Sequence, residues 1–192
     1  MIPVPRAKKP RGFDATVKVP GDAWLAKNPV TARPPALWAP YTPQLSEAFS
    51  NLCGYAAMYD PTGGTVDHLL SFKHHRQLAF EWSNYRFASG PLNSSKRDAD
   101  DEVLDPFEVG AGWFKIILPS LQMCVTDAVP AAYRAKAAFT LKRLKLRDGE
   151  RVIRWRKSWY DMYLSGQLTL DGLRNVAPLL AAAVEAHAQA VP

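Results

Sequence analysis

The stretch that decides the reading is Thr65–Lys96, TVDHLLSFKHHRQLAFEWSNYRFASGPLNSSK. Val66 leads into an Asp67-His68 pair, and the four residues before Thr65 are Pro61-Thr62-Gly63-Gly64, a dense turn signal. The runs on either side of that turn, Cys53–Asp60 and Thr65–Phe72, therefore read as a β-hairpin. Sixteen residues after His68 comes Asn84, behind Trp82, and nine after that comes Asn93, followed by Ser94, Ser95 and Lys96. Trp82 to about Lys96 reads as partly helical, with Gly90-Pro91 as a kink or irregular end. Taken singly these residues are ordinary: an Asp-His pair is a common surface hydrogen bond, and an Asn before Ser-Ser is a common helix terminus. It is the ordered set that carries information.

That set, Asp67, His68, Asn84, Asn93 and Lys96, resembles the HNH endonuclease family over about residues 50–97. The resemblance implies a small ββα-metal core and metal-dependent hydrolysis of phosphodiester bonds in nucleic acid, DNA foremost. It makes His68 the general base and Asp67 and Asn93 the ligands of a divalent cation, Mg²⁺ or Mn²⁺. Asn84 braces the loop that aims His68, and Lys96 holds a neighbouring phosphate. The chemistry is coherent. A phosphodiester is a hindered anion, so its hydrolysis needs a deprotonated water and a cation for the developing charge. An imidazole accepts a proton near neutrality, and a carboxylate with an amide carbonyl is a hard oxygen donor set. His74 and His75 read as exposed loop residues, and Glu81 as a local cap or pair. Small members of this family act in phage defence, restriction and mobile elements. A monomer would nick one strand, and a dimer or a repeated encounter would make a double-strand break; a homodimer or partner proteins of a defence system are the partners that the resemblance allows.

The chain departs from the family at the zinc knuckle. Cys53 stands in the first of four cysteine positions, but Ala56, Ser89 and Leu92 fill the others. One thiolate cannot hold a structural zinc, so none is expected. Packing has to replace it, with Tyr55, Tyr59, Phe80, Trp82, Tyr85, Phe87 and Leu92 as the candidate residues. This departure motivates an alternative: a non-catalytic nucleic-acid-binding or protein-interaction module that retains the fold.

Around this core the chain divides into three segments. Residues 1–43 hold nine of the 16 prolines, too many for regular helix or central strand. They read as an extended arm, with one helical turn near Asp22–Lys27, packed through Val17, Val19, Trp24, Leu25, Leu37 and Trp38. Residues 44–125 open with a short helix, Gln44–Leu52, and contain the motif and a further strand, Trp113–Leu118. Residues 126–192 read as helices over Ala131–Leu146 and Arg151–Leu164, a third capped by Thr169, and a continuation past Pro178. The fold class is α+β.

Formal charge is +6 over 192 residues, unevenly spread. Arg134–Lys157 carries ten basic residues against two acids, while residues 98–108 hold six acids and no Lys or Arg. Lys142, Arg143, Lys145, Arg147, Arg151 and Arg154 are therefore candidate phosphate contacts. Asp98, Asp100, Asp101, Glu102, Asp105 and Glu108 place a negative rim near Lys96; Asp105-Pro106 reads as the start of a turn, with Asp105 and Glu108 solvated and an acidic-ligand role for them as the alternative. With 47% hydrophobic residues the chain is not disordered throughout. It has no apolar run of about 20 residues for a membrane span and no secretory signal pattern. Two cysteines exclude a disulfide framework. The expected location is cytoplasmic.

Overall fold

The computed structural model describes residues 1–190. It shows a mixed α+β fold with two small antiparallel sheets and several helices. Pro61–Gly64 does turn the chain: Asp60 Oδ1 accepts from Thr62 N at 2.9 Å and from Thr62 Oγ1 at 2.7 Å. The turn does not close the expected hairpin. Strand β1, Thr65–His68, pairs instead with β2, Tyr85–Ala88, in the register Thr65↔Ala88, Val66↔Phe87, Asp67↔Arg86 and His68↔Tyr85. Cys53–Asp60 makes a tight reversal, with Cys53 N on Met58 O at 2.9 Å and Ala57 at φ +52°. Its Gly54 N–H donates to Phe87 O at 2.9 Å, so this reversal sits beside β2 where a strand was expected. Gly64, at φ +60°, has to be glycine, because a Cβ there would lie 2.4 Å from the Phe87 ring.

Directly opposed residues share a face of a sheet. One face of β1–β2 therefore carries Val66, Phe87, His68 and Tyr85, and the other carries Thr65, Ala88, Asp67 and Arg86. Asp67 and His68, adjacent in sequence, leave the strand in opposite directions. Helix α1, Gly90–Lys96, follows β2 at once. Pro91 stands in its first turn, where no N–H is needed, so Gly90-Pro91 starts a helix and does not kink one.

The arm is more helical than its prolines imply. A π-helical turn, Asp14–Lys18, runs into a helix over Val19–Lys27. Pro20 falls at the start of that helix, where its missing N–H costs little. Packing holds the arm down. Phe13 and Val17 are buried, and a Cβ on Gly21 would lie 2.2 Å from the Phe80 ring. Trp82 Nε1 donates to Ala7 O at 3.0 Å. Trp24, Leu25, Leu37 and Trp38 pack on the body as expected, whereas Val19 is 65% exposed.

Two apolar clusters meet at the strand–helix unit. Val66, Tyr85 and Phe87 join Phe13, Val17, Leu45, Phe49, Phe80 and Trp82 on one side. Ala88 and Leu92 join Tyr55, Leu104, Phe114, Met123, Leu141, Leu144 and Val152 on the other. Every aromatic proposed to replace the knuckle is buried except Tyr59, which is 40% exposed. The second hairpin pairs Phe114–Ile117 with Gln122–Val125. The C-terminal helices span Ala131–Arg143, Glu150–Leu164, Leu170–Val176 and Pro178–Ala190, and Thr169 Oγ1 caps the third by accepting from Gly172 N. No helix among the described residues is long and apolar enough to cross a membrane.

Candidate active site

His68 ends β1, on the face that Tyr85 shares. Its Nε2 lies 2.9 Å from Ala79 O. A carbonyl only accepts, so the neutral ring carries its proton on Nε2 and leaves Nδ1 as an acceptor. Trp38, Tyr85 and Phe72 meet the ring edge-on, with centroids at 4.5, 5.0 and 5.6 Å. Burial in this aromatic setting pushes the imidazole pKa down to about 4. The ring is therefore a free base at neutral pH.

Asn84 is buried and laces together the two ends of the loop after β1. Its Oδ1 accepts from Leu70 N at 2.8 Å, and its Nδ2 donates to Leu70 O at 2.9 Å and Leu78 O at 3.2 Å. Leu78 precedes Ala79, whose carbonyl holds His68, so Asn84 acts on His68 through one residue. Asp98 and Asp100 tie down the loop's middle. Asp98 pairs with Lys73 at 2.5 Å, and Asp100 accepts from Ser71 N and meets His74 Nδ1, both at 2.6 Å.

On the opposite face, Asp67 is buried with both oxygens engaged. Tyr55 Oη donates to Oδ2 at 2.7 Å and Lys96 Nζ to Oδ1 at 3.1 Å. Burial pushes the Asp67 carboxyl up from its usual range, against the pull of Lys96 and Tyr55. Lys96 is fully buried and also donates to His68 O at 2.6 Å and Leu69 O at 2.9 Å. This overturns the phosphate-holding role expected of Lys96: its three donors are spent on the protein. Asn93 Nδ2 donates to Val66 O at 3.2 Å, which fixes the amide orientation and leaves its Oδ1 without a protein partner among the described residues.

Asp67, His68 and Asn93 line one open pocket of about 680 Å³. Arg33, Trp38, Ser71, Phe72, Lys73, Arg97 and Asp98 line it as well; none of them was expected at the site, Trp38 being read as a packing residue of the arm and Asp98 as part of the acidic rim. None of the expected phosphate contacts, Lys96, Lys142, Arg143, Lys145, Arg147, Arg151 or Arg154, lines it. Lys142, Lys145 and Arg147 flank a separate groove with Cys124 and Leu141. Arg151 borders a third, with Asp60 and Trp155. Arg143 donates to Lys96 O at 3.1 Å, and Arg154 pairs with Glu150 at 2.5 Å. The solvated acidic rim is also corrected. Asp98 and Asp100 tie the loop, and Asp105 is buried against Arg86, Oδ1 to Nε at 2.5 Å. Glu81 pairs with Lys18 of the arm at 3.0 Å.

The chain matches no protein-family model, no curated protein and no solved structure. Among the described residues no three His, Cys, Asp or Glu side chains are grouped to hold a metal ion. Asp67 and Asn93 offer one carboxylate and one amide carbonyl, a chemical type that suits a hard cation completed by water and phosphate oxygens, and a second carboxylate, Asp98, lines the same pocket paired with Lys73. Cys53, Ala56, Ser89 and Leu92, the positions compared above with the family's cysteines, are all buried, and Ser89 N donates to Cys53 Sγ at 3.3 Å.

Proposed function

We propose that this chain is a metal-dependent endonuclease of the HNH type, with β1, β2 and α1 as its ββα core, acting on phosphodiester bonds in DNA. The observation that supports this most is the tautomer of His68. Ala79 O accepts a hydrogen bond from Nε2–H, and the remaining Nδ1 belongs to a ring that lines the same pocket as Asp67 and Asn93. In this reading His68 Nδ1 removes a proton from the attacking water as its oxygen bonds to phosphorus. The bond to the 3′ oxygen breaks, and that oxygen takes a proton from solvent water, leaving a 5′-phosphate and a 3′-hydroxyl. Because burial disfavours the imidazolium, the proton does not stay on the ring and is released to solvent. Asp67 and Asn93 Oδ1 would hold the Mg²⁺ or Mn²⁺, which supplies charge neutralisation at the phosphate and leaving oxygen. Asn84 keeps Ala79 O in place.

The test is incubation with supercoiled plasmid and Mg²⁺ or Mn²⁺. Wild type should convert it to the nicked form, and His68→Ala should lose the activity by at least a hundredfold. Intact plasmid with wild type, or equal nicking by the variant, refutes the reading.

One observation favours a second reading. Lys96 already neutralises Asp67, and Tyr55 takes the other oxygen. A domain so satisfied internally suits a non-catalytic DNA-binding module. That reading expects salt-dependent binding that is indifferent to chelator, and no nicking.

A further inference from the structure

Arg97 follows α1 with φ +53° and ψ −119°. Ala99 N donates back to Lys96 O at 3.2 Å, closing a turn over Lys96–Ala99 with Arg97 in its second position. Those angles are the ones a type II′ turn requires at that place, where glycine is normal and a side chain is strained. The chain thus keeps an arginine where its backbone favours glycine, and that arginine lines the pocket of Asp67, His68 and Asn93. Strain of this kind persists when the surroundings impose it, and it concentrates at binding and catalytic sites.

A second guanidinium comes from the arm. Arg33 lines the same pocket. The residues before it are anchored by Arg76, which donates to Ala32 O at 2.9 Å and Asn28 O at 3.1 Å and lies over the Trp24 ring at 5.3 Å. Beyond it, Trp38 meets His68. The segment carrying Arg33 is therefore fixed at both ends. Arg33 and Arg97 are both exposed, and neither guanidinium has a hydrogen-bond or ion-pair partner among the described residues. Lys73, the other cation there, is already paired with Asp98.

We propose that Arg33 and Arg97 form a clamp for the phosphate backbone of nucleic acid at this pocket, one arm supplied by the proline-rich segment and one by the strained turn after α1. The proposal rests on the nuclease reading for the identity of its ligand. Guanidinium presents a fork that matches phosphate oxygens, and two such groups with no internal partner are available to it. The arm is on this account part of the binding site.

The test is anisotropy of a fluorescein-labelled 20-base-pair DNA in EDTA, with His68→Ala as the parent so that nothing is cleaved. Arg33→Ala and Arg97→Gly should each weaken binding about three- to tenfold. Together they should reduce the slope of log K against log[salt] by about 2. Lys115→Ala/Arg134→Ala, which removes the same charge elsewhere, should change affinity less than twofold. Arg97→Gly should also melt about 2–4 °C above the parent, because it relieves the turn while losing the ligand. The clamp is overturned if the double variant binds like the parent with an unchanged slope, if the control pair loses as much, or if the parent does not bind at low salt. Plasmid nicking by the same Arg variants in the His68 background of wild type separates the two ideas. Undiminished nicking with undiminished binding removes the clamp and leaves the nuclease. Clamp-dependent binding without nicking by wild type removes the nuclease and leaves the clamp.

Discussion

Lys96 Nζ lies 3.1 Å from Asp67 Oδ1, and neither side chain is more than 1% exposed. The ammonium also gathers the carbonyls of His68 and Leu69, so it binds the last turn of α1 to the exit of β1. Removing one partner of a buried ion pair leaves the other charge without compensation, which costs about 3–5 kcal/mol. Lys96→Met should lose that much stability in urea unfolding, and adding Asp67→Asn should return a large part of it. A Lys96→Met variant as stable as wild type would show that the pair is not closed in solution.

His68 gives stability a pH dependence whose sign is fixed by burial. Its folded pKa, about 4, lies below the ordinary 6.5. Between those values the unfolded chain binds more protons than the native one, so stability falls as pH is lowered from 6.5 towards 4. The contribution approaches about 1.4 kcal/mol per pH unit at most. Above pH 6.5 both states hold a neutral ring and the effect vanishes. Unfolding free energies of wild type and His68→Gln, compared from pH 8 to pH 4, should separate only in the acid range. Parallel curves would contradict the buried neutral ring.

Asn84 sits behind the site, and its effect should be local. Its three side-chain hydrogen bonds join Leu70 to Leu78 across the loop. In Asn84→Ala the Leu70 amide loses its acceptor, and its hydrogen exchange should accelerate about tenfold or more, while amides in the C-terminal helices change only by the global loss of stability. If the variant nicks DNA, kcat should fall with KM little changed, since Asn84 does not line the pocket. Uniform acceleration throughout the chain would assign Asn84 to general stability alone.

The residues that come together at the pocket were readable because their order along the chain matters more than their surroundings. Asp67, His68 and Asn93 do share a pocket, and Asn84 does hold a loop. The hairpin partner was misread because turn chemistry is local, whereas strand pairing is settled by side chains far apart, here Phe87 against Val66 and Tyr85 against His68. The fate of Lys96 had a usable signal. Three residues after Asn93 on a helix, it falls on the same face, and that face is turned to β1. The arm's helix was hidden by counting prolines without noting that Pro20 stands at a permitted position. Arg97 had no signal at all, since nothing in an arginine announces a positive φ.

Packing around Cys53 makes a last prediction about what holds β2 and α1 to the Cys53–Asp60 reversal. Cys53 is fully buried, its thiol pKa is raised by that burial, and its sulfur accepts from Ser89 N at 3.3 Å. Ala56 and Leu92 sit in the same apolar cluster. The sulfur is thus placed as a small buried apolar group with one weak acceptor contact. Thermal unfolding should be the same in a large excess of a zinc chelator as in its absence. Cys53→Ala should lower stability by about 1–2 kcal/mol, the scale of a small cavity and a lost contact. A structural metal would behave otherwise: chelator would unfold the chain, and Cys53→Ala would abolish folding altogether.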